Sequence, residues 1–288
     1  MTLLFEAPLR GAGGEPISFG RTVYSHGCAQ LPPATLLESP LTYRRGFRIG
    51  KGVINVEMQE RGGNLRARAS ERLRSRDTAV IVSTIRRMFR LDDDLSGFYR
   101  RIAADERFAW VTCGAGRILA SPSVFEDVVK TICTTNCAWS ATERMTQALS
   151  DLGEGAFPDG ALLARTPDSW YREVARMGYR GPYVRTIARE VSDGRLDLES
   201  LRDGIADAEV ERALLALPGI GPYGAAHVMQ LLGRHRQLVL DSWTRPKYCR
   251  LMGKKKAADS TIRRSFARYG EYAGLAFWLL LTRDWIED

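Results

Sequence analysis

Cysteine and histidine are scarce in this 288-residue chain, with five of the first and three of the second. Cys28, Cys113, Cys133, Cys137 and Cys249 are odd in number and irregular in spacing, which argues against a disulfide framework. Cys133 and Cys137 stand four apart in an apolar, helix-like stretch, with no CxxC pair or histidine beside them. A structural zinc or an iron–sulfur centre is not expected there. Structural thiols in a reducing cytoplasm are expected instead. Long hydrophobic runs are also missing. Nothing approaches the roughly 18 apolar residues of a membrane-spanning helix. The opening MTLLFEAPLRGAGG lacks the apolar core and cleavage pattern of a secretion signal. Neither a membrane partner nor export is expected, and no repeat or low-complexity tract stands out.

What is present is positive charge and helical pattern. Lys and Arg total 42 against 34 Asp and Glu, a net charge of +8 and a pI near 9.4. That balance suits an anionic partner such as nucleic acid, though an ordinary basic protein has it too. The hydrophobic share of 44% is ample for a core at this length. Residues 1–115 read as a small α/β domain. FGRTVYSHG, TYRRGFRIG and GVINVEMQE are strand-like, and an amphipathic helix TAVIVSTIRRMFRL follows with Asp77 as its expected N-cap. WVTCGAGRILA reads as a linking strand or loop. Residues 116–288 read as helical almost throughout, so the fold class expected is mainly α with a smaller N-terminal α/β domain.

The most informative run is LPGIGPYGAAHVMQLLGRHRQLVLDSW, from Leu217 to Trp243. LPGIG suits a tight turn between two helices, with Gly219 and Gly221 able to take positive φ around Ile220. Pro222 fits the first turn of the next helix, ahead of Tyr223 and Gly224. Free N–H groups at such a helix start bind anions, and a DNA phosphate would fit. A plain helix–turn–helix corner accounts for the same residues. About twenty residues after Gly221, Asp241 follows three apolar residues at the start of another helix, where a carboxylate is ordinarily an N-cap.

Taken together, the hairpin and the spaced aspartate resemble the helix-hairpin-helix DNA glycosylases, in the branch of 3-methyladenine DNA glycosylase II and 8-oxoguanine DNA glycosylase. VFEDVVKTICTTNCAW is similar to the family helix whose end carries an asparagine that enters the space left by a flipped base, placing Asn136 there. MGYRGPYVRTIARE resembles the family segment carrying a wedge tyrosine and an arginine that faces the unpaired base, matching Tyr179 and Arg180. YGEYAGLAFWLLL resembles the closing helix that lines the base pocket. The specific likeness covers roughly residues 118–283. It implies a monomer acting on double-stranded DNA with a damaged base, in the cytoplasm (on the nucleoid in a prokaryote), with Asp241 as the catalytic carboxylate. It also implies a structural monovalent cation on the hairpin carbonyls. Arg185 and Arg245 are candidate phosphate contacts.

Three departures refine the expectation. Tyr223 occupies the position where lyase-active members carry their Schiff-base lysine, and Lys247 lies six residues beyond Asp241. Without a placed amine the expectation is a monofunctional enzyme that leaves an abasic site. The clustered cysteines of the iron–sulfur loop are missing, so no cluster is expected. In the closing helix Phe277 stands where the 8-oxoguanine enzymes have glutamine, and Leu281 where they have phenylalanine; His227 replaces a cysteine. An aromatic pocket of Phe277, Trp278 and Trp243 would favour an alkylated, cationic purine. His227 keeps an oxidised purine open as the alternative, and His26, in VYSHGCAQL, is either a pocket residue or a turn histidine. A non-catalytic hairpin protein that only binds DNA is the rival of a different class; it would have no need of Asp241.

Overall fold

The computed structural model describes residues 1–286. Its N-terminal part is built on β1 (Thr2–Pro8), a short helix α1 (Phe19–Val23), β2 (Ala34–Glu38), β3 (Leu41–Ile49), β4 (Gly52–Arg61) and β5 (Asn64–Ala69). The five strands form one antiparallel sheet in the order β1-β5-β4-β3-β2. β3 and β4 pair with Phe47 opposite Ile54 and Tyr43 opposite Met58. Alternation along β4 buries Ile54, Val56 and Met58, and β5 answers with Leu65, Ala67 and Ala69. α2 (Ser75–Met88) covers that face with Ile81, Ile85 and Met88, a helical i, i+4, i+7 stripe.

Three local expectations are corrected. FGRTV is a helix rather than a strand, because the Ser18 hydroxyl accepts from the Arg21 N–H and caps it. α2 begins at Ser75 after Arg74, so Asp77 is not its cap but sits in the first turn, where it faces the positive helix end. The start of the linking stretch, Trp110 to Cys113, belongs to the 3-10 turns Glu106–Cys113, while residues 115–120 form the loop expected.

The helical part comprises α3 (Ser96–Ile102), α4 (Val124–Thr134), α5 (Trp139–Leu152), α6 (Gly160–Arg165), α7 (Arg180–Ser192), α8 (Asp207–Leu215), α9 (Pro222–Leu231), α10 (Thr244–Leu251), α11 (Asp259–Phe266) and α12 (Ala273–Thr282). Among the described residues no helix is long and apolar enough to cross a membrane. Two helical cores form. One gathers residues of α4 to α9; the other joins α9 to α12 with Phe98, Ile102, Phe108 and Val111. The change of composition near residue 115 thus falls inside a packed core rather than between two.

α9 lies between the cores and is buried from Gly224 to Leu231. Ala225, Val228 and Met229 face one core, Ala226 and Leu231 the other. Gly224 permits this, since a Cβ there would lie 3.3 Å from the Thr131 side chain on α4. α4 is tied to the sheet by a buried network: Arg45 and Lys130 meet the Glu126 carboxylate at 2.9 and 2.8 Å.

Candidate functional site

The hairpin runs from the end of α8 to the start of α9. Leu217 and Ile220 are buried and anchor it in the core, leaving the glycines outward. The two glycines do different work. Gly219 has φ +84°, and a Cβ on it would lie 2.7 Å from the Tyr183 ring, so both backbone and space demand glycine. Gly221 does not take the positive φ expected of it: its φ is −101°, and a Cβ would meet nothing within 4 Å. Its small size keeps open space in front of the backbone. Among the described residues the N–H groups of Gly221, Tyr223 and Gly224 find no acceptor, the ordinary state of a helix start without a side-chain cap. A negatively charged oxygen fits there.

Beside the hairpin the structure brings Asn136, Tyr179 and Arg180 together. Asn136 follows α4 in a left-handed conformation, φ +47°, and its amide donates to the Tyr179 hydroxyl at 3.3 Å. Tyr179 is 51% exposed although it is a large aromatic residue. Arg180 is used otherwise than expected. It is buried, its guanidinium donates to the carbonyls of Thr135 and Met177, and it lies 4.5 Å from the centre of the Tyr179 ring. It positions the Asn136 turn and the tyrosine and does not project toward a partner. Tyr183, one turn along α7, completes the arrangement: its ring is 6.0 Å from that of Tyr179 and packs on Gly219. The sequence signal for Tyr183 was its i+4 spacing from Tyr179.

Asp241 caps the turn into α10. Its Oδ1 accepts from the N–H groups of Trp243 at 2.9 Å and Thr244 at 2.6 Å, and its own N–H donates to the Thr244 hydroxyl. The other oxygen, Oδ2, has no partner among the described residues, and the residue is part-exposed. The aspartate is therefore both the side-chain cap of the turn ahead of α10, whose N-cap position is Trp243, and a fixed carboxylate with one oxygen to spare. Arg245 and Arg185 are not free cations: they pair with Asp259 and Asp168. Lys247 is held by Asp284 at 2.7 Å and lies 5.7 Å from the centre of the Trp243 ring.

The closing helix α12 turns a different face inward than its sequence suggested. Phe277 and Leu281 are fully buried; Phe277 packs against Phe266 and Tyr248 in the core, so neither residue lines a pocket. Trp278, one position along, is buried in the same core, at its edge beside Trp243. Its indole N–H donates to the Ser25 carbonyl at 2.7 Å, and its ring forms a cluster with Trp243 and Trp285 at 5.8–5.9 Å. Trp285 also lines a cleft of about 650 Å³ with Gly27, Leu31 and Trp139. Trp139 and Trp285, both more than a third exposed, are the aromatic residues the sequence reading missed. Trp139 stands three positions after Asn136, which was the available signal. Gly27 lets it close down, since a Cβ there would lie 2.8 Å from the indole.

His26 is a turn histidine: it begins the 3-10 turn Gly27–Gln30 rather than interrupting a strand. It lies against His227 of α9, ring centres 5.5 Å apart, and both are buried. Burial holds both imidazoles neutral, with pKa values pushed down to about 3 for His26 and about 4 for His227. Tyr223 stacks on His227 at 6.2 Å with nearly parallel rings, and burial raises its phenol pKa, so it stays protonated.

No protein-family model and no curated protein matches this chain. Solved structures do. A 3-methyladenine DNA glycosylase from Archaeoglobus fulgidus superposes over 98% of this chain and 100% of its own, with TM-score 0.75 and 18% identity. An 8-oxoguanine glycosylase/lyase from Clostridium acetobutylicum covers 93% and 94%, with TM-score 0.71 and 18% identity. A DNA-3-methyladenine glycosidase from Bacillus halodurans covers 66% and 89%, with TM-score 0.54 and 24% identity. The chain has the fold of the helix-hairpin-helix DNA glycosylases.

Proposed function

We propose that this protein is a DNA glycosylase that takes a damaged base out of the duplex and hydrolyses its N-glycosidic bond, leaving an abasic site. The observation that carries the reading is the contact between Asn136 and Tyr179, exposed just after α4 and just before α7 and joined through Tyr183 to the hairpin. An exposed tyrosine braced by a buried arginine serves no packing need. It suits insertion into a base stack next to a hairpin that holds the backbone. The Ile220 carbonyl, which accepts no backbone hydrogen bond among the described residues, fits the monovalent cation implied by the resemblance.

The chemistry falls to Asp241. With Oδ1 fixed by two N–H groups, Oδ2 faces the forming positive charge at C1′ and orients the attacking water. No strand cleavage is expected. Tyr223 stands in place of the lyase lysine, and Lys247 is occupied by Asp284. The substrate class favoured is an alkylated purine. Phe277 is in the core; the aromatic surface for a cationic base is that of Trp139, Trp243 and Trp285, each more than a third exposed.

The test is release of free base from duplexes carrying single methylated or oxidised purines, with and without alkali, alongside borohydride trapping. Base release with intact strands and no trapped adduct is expected. Duplex binding without release of any base would make this a binding protein.

A further inference from the structure

Three donor side chains that the proposed reaction does not use converge between the N-terminal turn and α9. His26, Cys28 and His227 each offer one ligand atom, and these atoms all lie within 4.8 Å of one another. All three residues are more than nine-tenths buried, with exposures of 3%, 8% and 4%. The His26 Nε2 is 2.6 Å from the Leu119 carbonyl. A carbonyl only accepts, so Nε2 carries the proton and Nδ1 presents a bare lone pair. That Nδ1 is buried with no hydrogen-bond partner, and so is Nε2 of His227. The Cys28 thiol is free of any disulfide. Two orphaned imidazole nitrogens beside a thiol are costly in a protein interior unless something binds them.

We propose that His26, Cys28 and His227 form a zinc(II)-binding site. Two imidazoles and a thiolate are a ligand set zinc favours, and three protein ligands leave one tetrahedral position open. The hydrogen bond from His26 Nε2 to a backbone carbonyl is the usual outer support of a metal-bound histidine, fixing both tautomer and ring orientation. Ligand atoms around a tetrahedral zinc stand closer together than 4.8 Å, so binding draws the turn and α9 slightly together. Binding replaces the S–H bond with a metal–sulfur bond and releases one proton to solvent. Lys130, whose charge bears on His26 and Cys28, is neutralised by Glu126 at 2.8 Å and does not repel the ion unopposed. The ion would staple the hairpin's second helix to the N-terminal part of the chain.

The test uses the full-length protein, stripped by chelator and titrated with cobalt(II) as a coloured stand-in. A thiolate-to-cobalt charge-transfer band saturating at one ion per chain, displaced by zinc, is expected. Cys28→Ser should remove that band and the rise in melting temperature that zinc gives the wild type. X-ray absorption of the zinc-loaded wild type, which needs no variant to fold, should give one sulfur at about 2.3 Å and two nitrogens at about 2.0–2.1 Å. A folded wild type that binds no stoichiometric metal overturns the proposal. A band that survives in a folded Cys28→Ser protein overturns it as well, and points to the exposed Cys113 or Cys137.

Discussion

Replacing Asp241 by asparagine separates the two roles the structure gives that residue. As a cap, Asp241 accepts two N–H groups through one oxygen. Asparagine caps about as well as aspartate, and its Oδ1 can keep both bonds. The fold loses only the favourable interaction of a negative charge with a helix N-terminus, about 0.3–1 kcal/mol. For a chain of this size that corresponds to a fall in melting temperature of roughly 1–4 °C. The chemical role is lost entirely, because a neutral amide neither stabilises charge at C1′ nor accepts a proton from water. Removal of one preorganised electrostatic group costs roughly 100- to 1,000-fold in rate. The assay is single-turnover release of whichever base the wild type removes, with duplex affinity from fluorescence anisotropy and stability from thermal melting. Slow release with unchanged binding and a small melting shift is expected. Asp241→Ala provides the contrast: it also leaves two N–H donors uncapped, for about 1 kcal/mol more. An asparagine variant within a few-fold of wild-type rate refutes the catalytic role and leaves Asp241 a cap alone.

Three other outcomes follow from the geometry. Gly221→Asp should weaken binding to damaged and undamaged duplexes alike without lowering stability, whereas Gly219→Ala should cost at least about 1 kcal/mol from its left-handed backbone and the Tyr183 ring behind it; equal melting curves for both variants would contradict the distinction. Arg180→Ala should destabilise the protein by about 1–3 kcal/mol in urea unfolding, since the Thr135 and Met177 carbonyls lose a buried charged donor; a wild-type denaturation curve would mean that Arg180 does not brace the turn. Asp127 is buried, and desolvation, the largest cause, raises its carboxyl to about 6 from an ordinary 3.8. The unfolded chain ionises it first, so its penalty is absent below about pH 4, grows as pH rises to 6, and amounts to about 3 kcal/mol above that. Asp127→Asn should therefore stabilise the protein at pH 8 and not at pH 4, and a pH-independent effect in melting experiments would exclude this cause.

Much of the helical part could be read from the chain, because its signals are local: caps, glycine stops and the 3.6-residue stripe each sit within one element. The hairpin and the turn at Asp241 are legible for the same reason, whereas Asn136 and Tyr179 stand out only through the resemblance of their segments to the family. What escaped was decided by packing between distant segments. Phe277 and Trp278 are adjacent on a helix that is apolar and buried all round, so its sequence does not single out a face for a base pocket. FGRTV has the β-branched and aromatic content of a strand, yet Ser18 and burial of Phe19 and Val23 make it a helix. Arg180 matches the family arginine that faces an unpaired base; only the fold reveals that the Thr135 carbonyl claims it. The grouping of His26, Cys28 and His227 was not legible in the sequence, because His227 arrives from a distant helix.

Gly219, Tyr183, Tyr179 and Asn136 form one unbroken line of contacts across α7. Under the proposed function this makes a caliper with jaws of fixed opening. A duplex gripped at the hairpin would present each successive base step to the tyrosine at the same depth, so holding and probing become a single event. Sound DNA would be tested at every stop without any rearrangement of the protein. Discrimination would then rest on how readily the step yields, with the chemistry of the cleft entering only after a base has given way.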